Sequence, residues 1–218
     1  MEPADNDRTK THTALAGTAI YTHTQLENKN MTANSIDPKT ALLVVDLQKG
    51  LVGLPTSHPI DGIVQNAVTL ADAFRARNLP VVLINVDGRA PGRSERAQPR
   101  HAYPADWTEF LPELNRQPTD HVVTKRTWGA FTGTDLEEYL RQSGVTQVVV
   151  AGVATSAGVE STARHAHELG FNVALAIDAM TDLDADAHHN SVARIFPKMG
   201  ETGTTQELIE LLGAGPRA

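Results

Sequence analysis

From residue 40 onward, short unbroken apolar runs alternate with segments of helical spacing. Ala41-Leu42-Leu43-Val44-Val45 is apolar at every position and closes on Asp46, the pattern of a strand buried on both faces. Residues 60–77 follow with Ile63, Val64, Ala67, Leu70, Ala71 and Phe74 on one stripe, which predicts an amphipathic helix. Further strands are predicted over 80–86, 121–125, 147–151 and 172–177. Helices are predicted over 135–142, 159–169, 184–196 and 205–212, the last after a short sixth strand. Strands alternating with helices predict an α/β fold, a doubly wound and mostly parallel sheet with helices on both faces. Residues 1–36 break the pattern: they are polar, aperiodic and rich in Thr, Asn, Asp and His. That composition predicts a flexible tail, because it buries too little apolar surface to offset ordering entropy. A single domain is expected over 37–218.

Composition narrows the function classes. Of 218 residues, 40% are hydrophobic and 21% charged, with a net charge of -7. A nucleic-acid or anionic-membrane surface needs a basic stripe, which this balance disfavours. No apolar run approaches the roughly 20 residues that span a bilayer, and no basic segment precedes an apolar core at the N-terminus. A cytoplasmic protein is the expectation. The chain has no cysteine, which rules out disulfides and thiolate metal sites.

Ligands of an open parallel sheet bind beyond the carboxyl ends of its strands. Asp46 follows the first strand, Lys125 ends the third, and Gly158 opens the helix after the fourth. Asp46 is either a cap in a solvated turn or one half of a proton-handling pair with Lys125. Lys125 is otherwise an ordinary charge at a strand end. Gly158 either allows close packing of helix on sheet, or bares backbone N–H groups at a helix N-terminus for a developing oxyanion or a substrate carboxylate. The connection 87–120 carries several prolines, Trp107 and Phe110 without periodicity, as lids and binding loops do. Ser156 reads as a turn residue. His188 and His189 are adjacent and point about 100° apart on a helix, so they form no common ligand face.

Three segments carry a family resemblance. They are Val44-Val45-Asp46-Leu47-Gln48, then Thr124-Lys125 with Trp128-Gly129-Ala130-Phe131 and Gly133-Thr134-Asp135-Leu136, then Gly152 through Ala163. In order and spacing they resemble the isochorismatase-like hydrolase superfamily, which includes nicotinamidases and N-carbamoylsarcosine amidohydrolases. The resemblance runs from about Lys39 to Leu212. It implies a three-layer α/β/α domain, a homodimer or larger homo-oligomer, and a catalytic site of Asp46, Lys125 and Gly158. It also implies a non-proline cis peptide at Val153–Ala154. The expected substrate contacts are Gln48, Ala154, Thr155, Trp128 and Phe131, the last two walling a pocket or else filling the core. Amidase members place a cysteine where this chain has Gly158, whereas isochorismatases proper carry glycine there and cleave a vinyl ether without a covalent intermediate.

This chain departs from the isochorismatase wording at Ala154, where that branch is aromatic, at Val86, where it has glutamine, and at Arg126-Thr127-Trp128-Gly129-Ala130-Phe131. It looks closer to a cysteine-less bacterial branch. The metal-binding nicotinamidases use an Asp-x-His pair where this chain reads Asp87-Gly88-Arg89, so neither metal nor other cofactor is expected. The expected function is hydrolysis of a small polar metabolite by non-covalent acid–base chemistry at Asp46 and Lys125. The competing class is a small-molecule-binding pseudoenzyme on the same scaffold.

Overall fold

A computed structural model describes residues 33–95 and 103–214. The tail expected over 1–36 lies outside the described residues up to 32. Its last positions belong to the domain: Ala33 and Ile36 are buried, and the Ala33 amide donates to the Thr202 carbonyl at 2.7 Å.

The elements run β1 (Thr40–Val45), α1 (Lys49–Val52), α2 (Ile60–Arg75), β2 (Val81–Val86), β3 (His121–Lys125), α3 (Leu136–Gln142), β4 (Gln147–Val153), α4 (Glu160–Glu168), β5 (Asn172–Thr181), α5 (Ala185–Asn190), β6 (Glu201–Gly203) and α6 (Thr205–Ala214). The strands form one sheet in the order β3-β2-β1-β4-β5-β6, and every pairing is parallel.

Both faces of the sheet are covered, as the unbroken apolar runs require. On one face Leu43, Val45, Ile84 and Val150 pack with Leu136 and Leu140 of α3 and Ala163 and Ala166 of α4. On the other, Leu42, Val44 and Leu83 meet the α2 stripe from Ile63 to Phe74 and Leu208 of α6. This is the three-layer α/β/α arrangement.

The order of winding reverses between β1 and β4, the place where an open α/β sheet forms its ligand crevice. The two strands approach very closely there. Gly152 adopts φ +117°, and a Cβ on it would stand 2.0 Å from the Val45 carbonyl oxygen. Glycine is required on both counts.

Two predicted elements differ in extent. β5 continues to Thr181 rather than ending at 177, because the register against β4 shifts between Val150 and Gly152 and lets pairing resume at Met180 and Thr181. Asp178 does not break the strand. Its side chain turns outward and accepts from the amide and hydroxyl of Thr205 at the start of α6. The helix predicted over 184–196 divides into α5, a π-helical turn at Ser191–Ile195 and a 3₁₀ turn at Phe196–Lys198.

The long connection after β2 is held down over its described second half. Trp107 Nε1 donates to Val86 O at 3.0 Å, its ring covers Gly50, and Tyr103 stacks on it at 4.1 Å. Residues 96–102 lie outside the described residues. Among the described residues no helix is long and apolar enough to cross a membrane.

Candidate active site at the sheet switch point

Asp46 and Lys125 are separated by 79 positions in sequence and meet beyond the carboxyl end of the sheet. Lys125 Nζ donates to Asp46 Oδ2 at 2.7 Å and to Thr127 O at 3.2 Å. Lys125 points to the same face as Val123 by strand alternation, toward the layer formed by α3 and α4. Asp46 leaves β1 with φ 54°, a left-handed conformation that Asp and Asn tolerate better than other side-chain-bearing residues. That turn swings its carboxyl toward β3 and β4. Both side chains are buried, Asp46 at 4% exposed and Lys125 at 2%.

The electrostatics follow from that burial. Desolvation pushes the Asp46 carboxyl up to about 6, against the opposing pull of the Lys125 charge and hydrogen bond. Asp46 Oδ1 is buried and has no hydrogen-bond partner. The two oxygens therefore differ: Lys125 occupies Oδ2, and Oδ1 is the one left to carry or receive a proton.

Removing Lys125 should raise the Asp46 titration further, since burial would then act unopposed. A carboxyl raised by folding contributes stability that is fully present below its unfolded pKa and is lost as pH rises through its folded pKa. Wild-type stability from this group should thus fall between about pH 4 and 6 and then level. In Lys125→Met the fall should continue above pH 6, at about 1.4 kcal/mol per pH unit. Urea unfolding of both proteins across pH 4–8 checks this through the difference between the two curves.

The turn after β4 forms the third side of the site. The Val153–Ala154 peptide is cis, and Thr155–Val159 form a π-helical turn leading into α4. Gly158 sits against Asp46: a Cβ at this position would stand 3.1 Å from Asp46 Oδ2, 3.1 Å from Val45 Cγ1 and 3.2 Å from Val153 O. The turn does not offer the open row of amides expected of it. Ser156 N donates to Asp182 Oδ2 at 2.7 Å, and Ala157 N and Val159 N both donate to Ala154 O. A buried turn satisfies its own donors where it can.

The expected substrate contacts divide. Ala154 borders a cavity of about 50 Å³ whose other walls include Leu51, Leu54, Val153, Thr181 and Leu183. Trp128 is 66% exposed, outside the core. Thr155 is buried, with its hydroxyl 2.8 Å from His188 Nδ1. One expectation needs correction, and for Phe131 one of two alternatives is met. Gln48 is fully buried, and its amide is used on the protein itself, accepting from Val86 N and donating to Val86 O and Trp107 O. It fastens the long connection to the strand ends. Phe131 is a core residue, 6% exposed, with its ring near those of His165 and Phe171.

Sequence reading passed over Asp182 and weighed His188 only as a metal ligand. Asp182 follows the carboxyl end of β5, so the rule that singled out Asp46 would have found it had the strand been carried to Thr181. Among the described residues the exposed large apolar side chains are Leu54, Tyr103, Trp128 and Leu183, all on connections that leave strand carboxyl ends. No group of three or more His, Asp or Glu among the described residues is placed to hold a metal ion.

Comparisons with known proteins bear on the family and the fold. A family model described as the isochorismatase domain matches residues 40–207. The isochorismatase family protein YwoC of Bacillus subtilis (strain 168) is 43% identical over 179 residues, spanning 79% of this chain and 93% of its own. The structure of an isochorismatase family protein from Burkholderia thailandensis superposes with a TM-score of 0.79 at 38% identity, covering 82% of this chain and 98% of its own. N-carbamoylsarcosine amidase from Thermoplasma acidophilum superposes with a TM-score of 0.65 at 26% identity, covering 77% and 96%. With its parallel six-stranded sheet and its matched span running from β1 into α6, this chain belongs to the isochorismatase-like hydrolase family.

Proposed function

We propose that this hydrolase cleaves a small polar metabolite by non-covalent general acid–base catalysis, with Asp46 as the proton donor and acceptor and Lys125 as its tuning partner. One observation carries the reading. A buried carboxyl titrating near 6 has one oxygen held by an ammonium and the other unpartnered, at the switch point of the sheet. A group with a pKa close to working pH supplies about 10²–10⁴ in rate when it meets a reacting atom.

The bond that suits this equipment is a vinyl ether. Asp46 Oδ1 delivers its proton to the terminal alkene carbon, and the resulting oxocarbenium ion takes up water. The hemiketal so formed collapses to an alcohol and a ketone, and the proton released by the water returns to Asp46. Lys125 offsets the negative charge left on the carboxylate. Amide cleavage through a thioester has no nucleophile here, since the chain has no cysteine.

Incubation of the purified protein with isochorismate, nicotinamide and N-carbamoylsarcosine tests the reading. Pyruvate release from the vinyl ether, no release from the amides, and loss of product in Lys125→Ala are expected. Saturable binding of all three without product would overturn catalysis in favour of a binding role.

A further inference from the structure

The turn that carries Gly158 is gripped from outside by one stretch of chain. Asp182 Oδ2 accepts from Ser156 N at 2.7 Å, while its other oxygen accepts from the amides of Leu183 and Asp184. His188 Nδ1 lies 2.8 Å from the Thr155 hydroxyl. Ser191 donates to Glu160 Oε2 at 2.6 Å. Residues 182, 188 and 191 thereby hold residues 156, 155 and 160.

The contacts are sheltered: Thr155 is fully buried, and Ser191 and Asp182 are 1% and 5% exposed. Each of the two segments so joined contains a π-helical turn, Thr155–Val159 and Ser191–Ile195, a form of helix that recurs at functional sites. Each turn is closed by wide i→i+5 backbone bonds, Val159 N to Ala154 O in the first and Phe196 N to Ser191 O in the second, and the side-chain bonds add a clamp from outside.

We infer that His188 is a positioning residue for the reaction proposed above: by holding the Thr155 hydroxyl it fixes the turn that seats Gly158 against Asp46. The inference rests on that proposed reaction for its catalytic consequence, though not for its geometry. His188 does this as a neutral ring. Its burial, together with the neighbouring His58, keeps its titration below the usual histidine range. The His58 ring lies 4.6 Å away and is held in turn by the Thr181 hydroxyl. The other titratable groups around it are Asp182, which favours the protonated form, and His189, which opposes it, with Asp184 and Asp186 at the start of α5. Protonation would leave Nδ1 able only to donate toward the Thr155 hydroxyl and place a positive charge 4.6 Å from the His58 ring.

The test uses the full chain with His188→Gln, Thr155→Val and Thr155→Ser. Amide resonances of residues 156–159, followed by ¹⁵N NMR, should move as the wild-type pH is lowered through the His188 titration. They should already be displaced at neutral pH in His188→Gln and Thr155→Val, and lie near wild type in Thr155→Ser, which keeps the hydroxyl. With isochorismate as substrate, kcat should fall about tenfold or more in the first two variants with KM within about twofold, and recover in Thr155→Ser. Amides unmoved by His188→Gln and Thr155→Val, or a Thr155→Ser protein indistinguishable from Thr155→Val, would overturn the inference. Absence of turnover in wild type counts against the proposed reaction alone, and the amide positions still decide the role of His188.

Discussion

Asp46→Asn is expected to lower turnover by about 10²–10⁴-fold while leaving a folded protein. Asparagine has nearly the same shape and also accepts the left-handed backbone that Asp46 adopts at φ 54°. Its carbonyl can take over the Lys125 Nζ bond that Oδ2 now receives. What it cannot do is hold and return a proton. The alanine variant is a poorer test, because a Cβ-bearing residue without a local hydrogen-bonding side chain loses about 1–2 kcal/mol in that conformation. The wild-type rate should fall as pH rises through about 6, where Asp46 loses its proton, and that limb should vanish from any residual activity of Asp46→Asn. A thermal melt beside the kinetic measurement confirms that the variant is folded. Wild-type-like kcat on a turned-over substrate would remove Asp46 from the mechanism.

Gly152→Ala should damage the fold severely, although it adds a single methyl group. The new Cβ would lie 2.0 Å from the Val45 carbonyl oxygen and 2.7 Å from its nitrogen, both backbone atoms of the neighbouring central strand. Neither can move without opening the β1–β4 pairing at Val45 and Gly152. The φ of +117° adds a conformational penalty. A loss of about 4–5 kcal/mol or more is expected, at the extreme of single substitutions. Gly170→Ala is the control: it too has a positive φ, +84°, but a Cβ there meets nothing within 4 Å. It should lose only about 1–2 kcal/mol. Urea midpoints for the two variants separate steric overlap from backbone conformation, and equal losses would refute the close approach of the strands.

The layered α/β/α plan and the Asp46–Lys125 pair were legible in the sequence for one reason. Each central strand is a run of apolar residues that stops at a chemically different residue, and in a parallel sheet those stops share an edge. Gly158 was legible because a strand, a turn and a helix start follow in unbroken order. What could not be read depends on irregular backbone. The extension of β5 to Thr181 needs a register shift against β4, which leaves no trace in hydrophobic periodicity, and Asp178 looked like its end. With that strand cut short, Asp182 lost its place at the sheet edge, and His188 was weighed only with His189 as a metal ligand. Gln48 and Phe131 were hard to place for different reasons. A glutamine two residues after Asp46 invites a substrate role, but its partners are Trp107 and Val86, across a connection whose path has no periodic signal. Phe131 follows a loop in sequence yet lies beside Phe171, forty residues further on.

The bare position at Gly158 has a consequence for any attempt to convert this protein into a thiol amidase. A cysteine Cβ there would stand 3.1 Å from both Asp46 Oδ2 and Val45 Cγ1, so the acid and the valine would each have to give by a few tenths of an ångström to admit it. Swapping one residue would disturb two functions together.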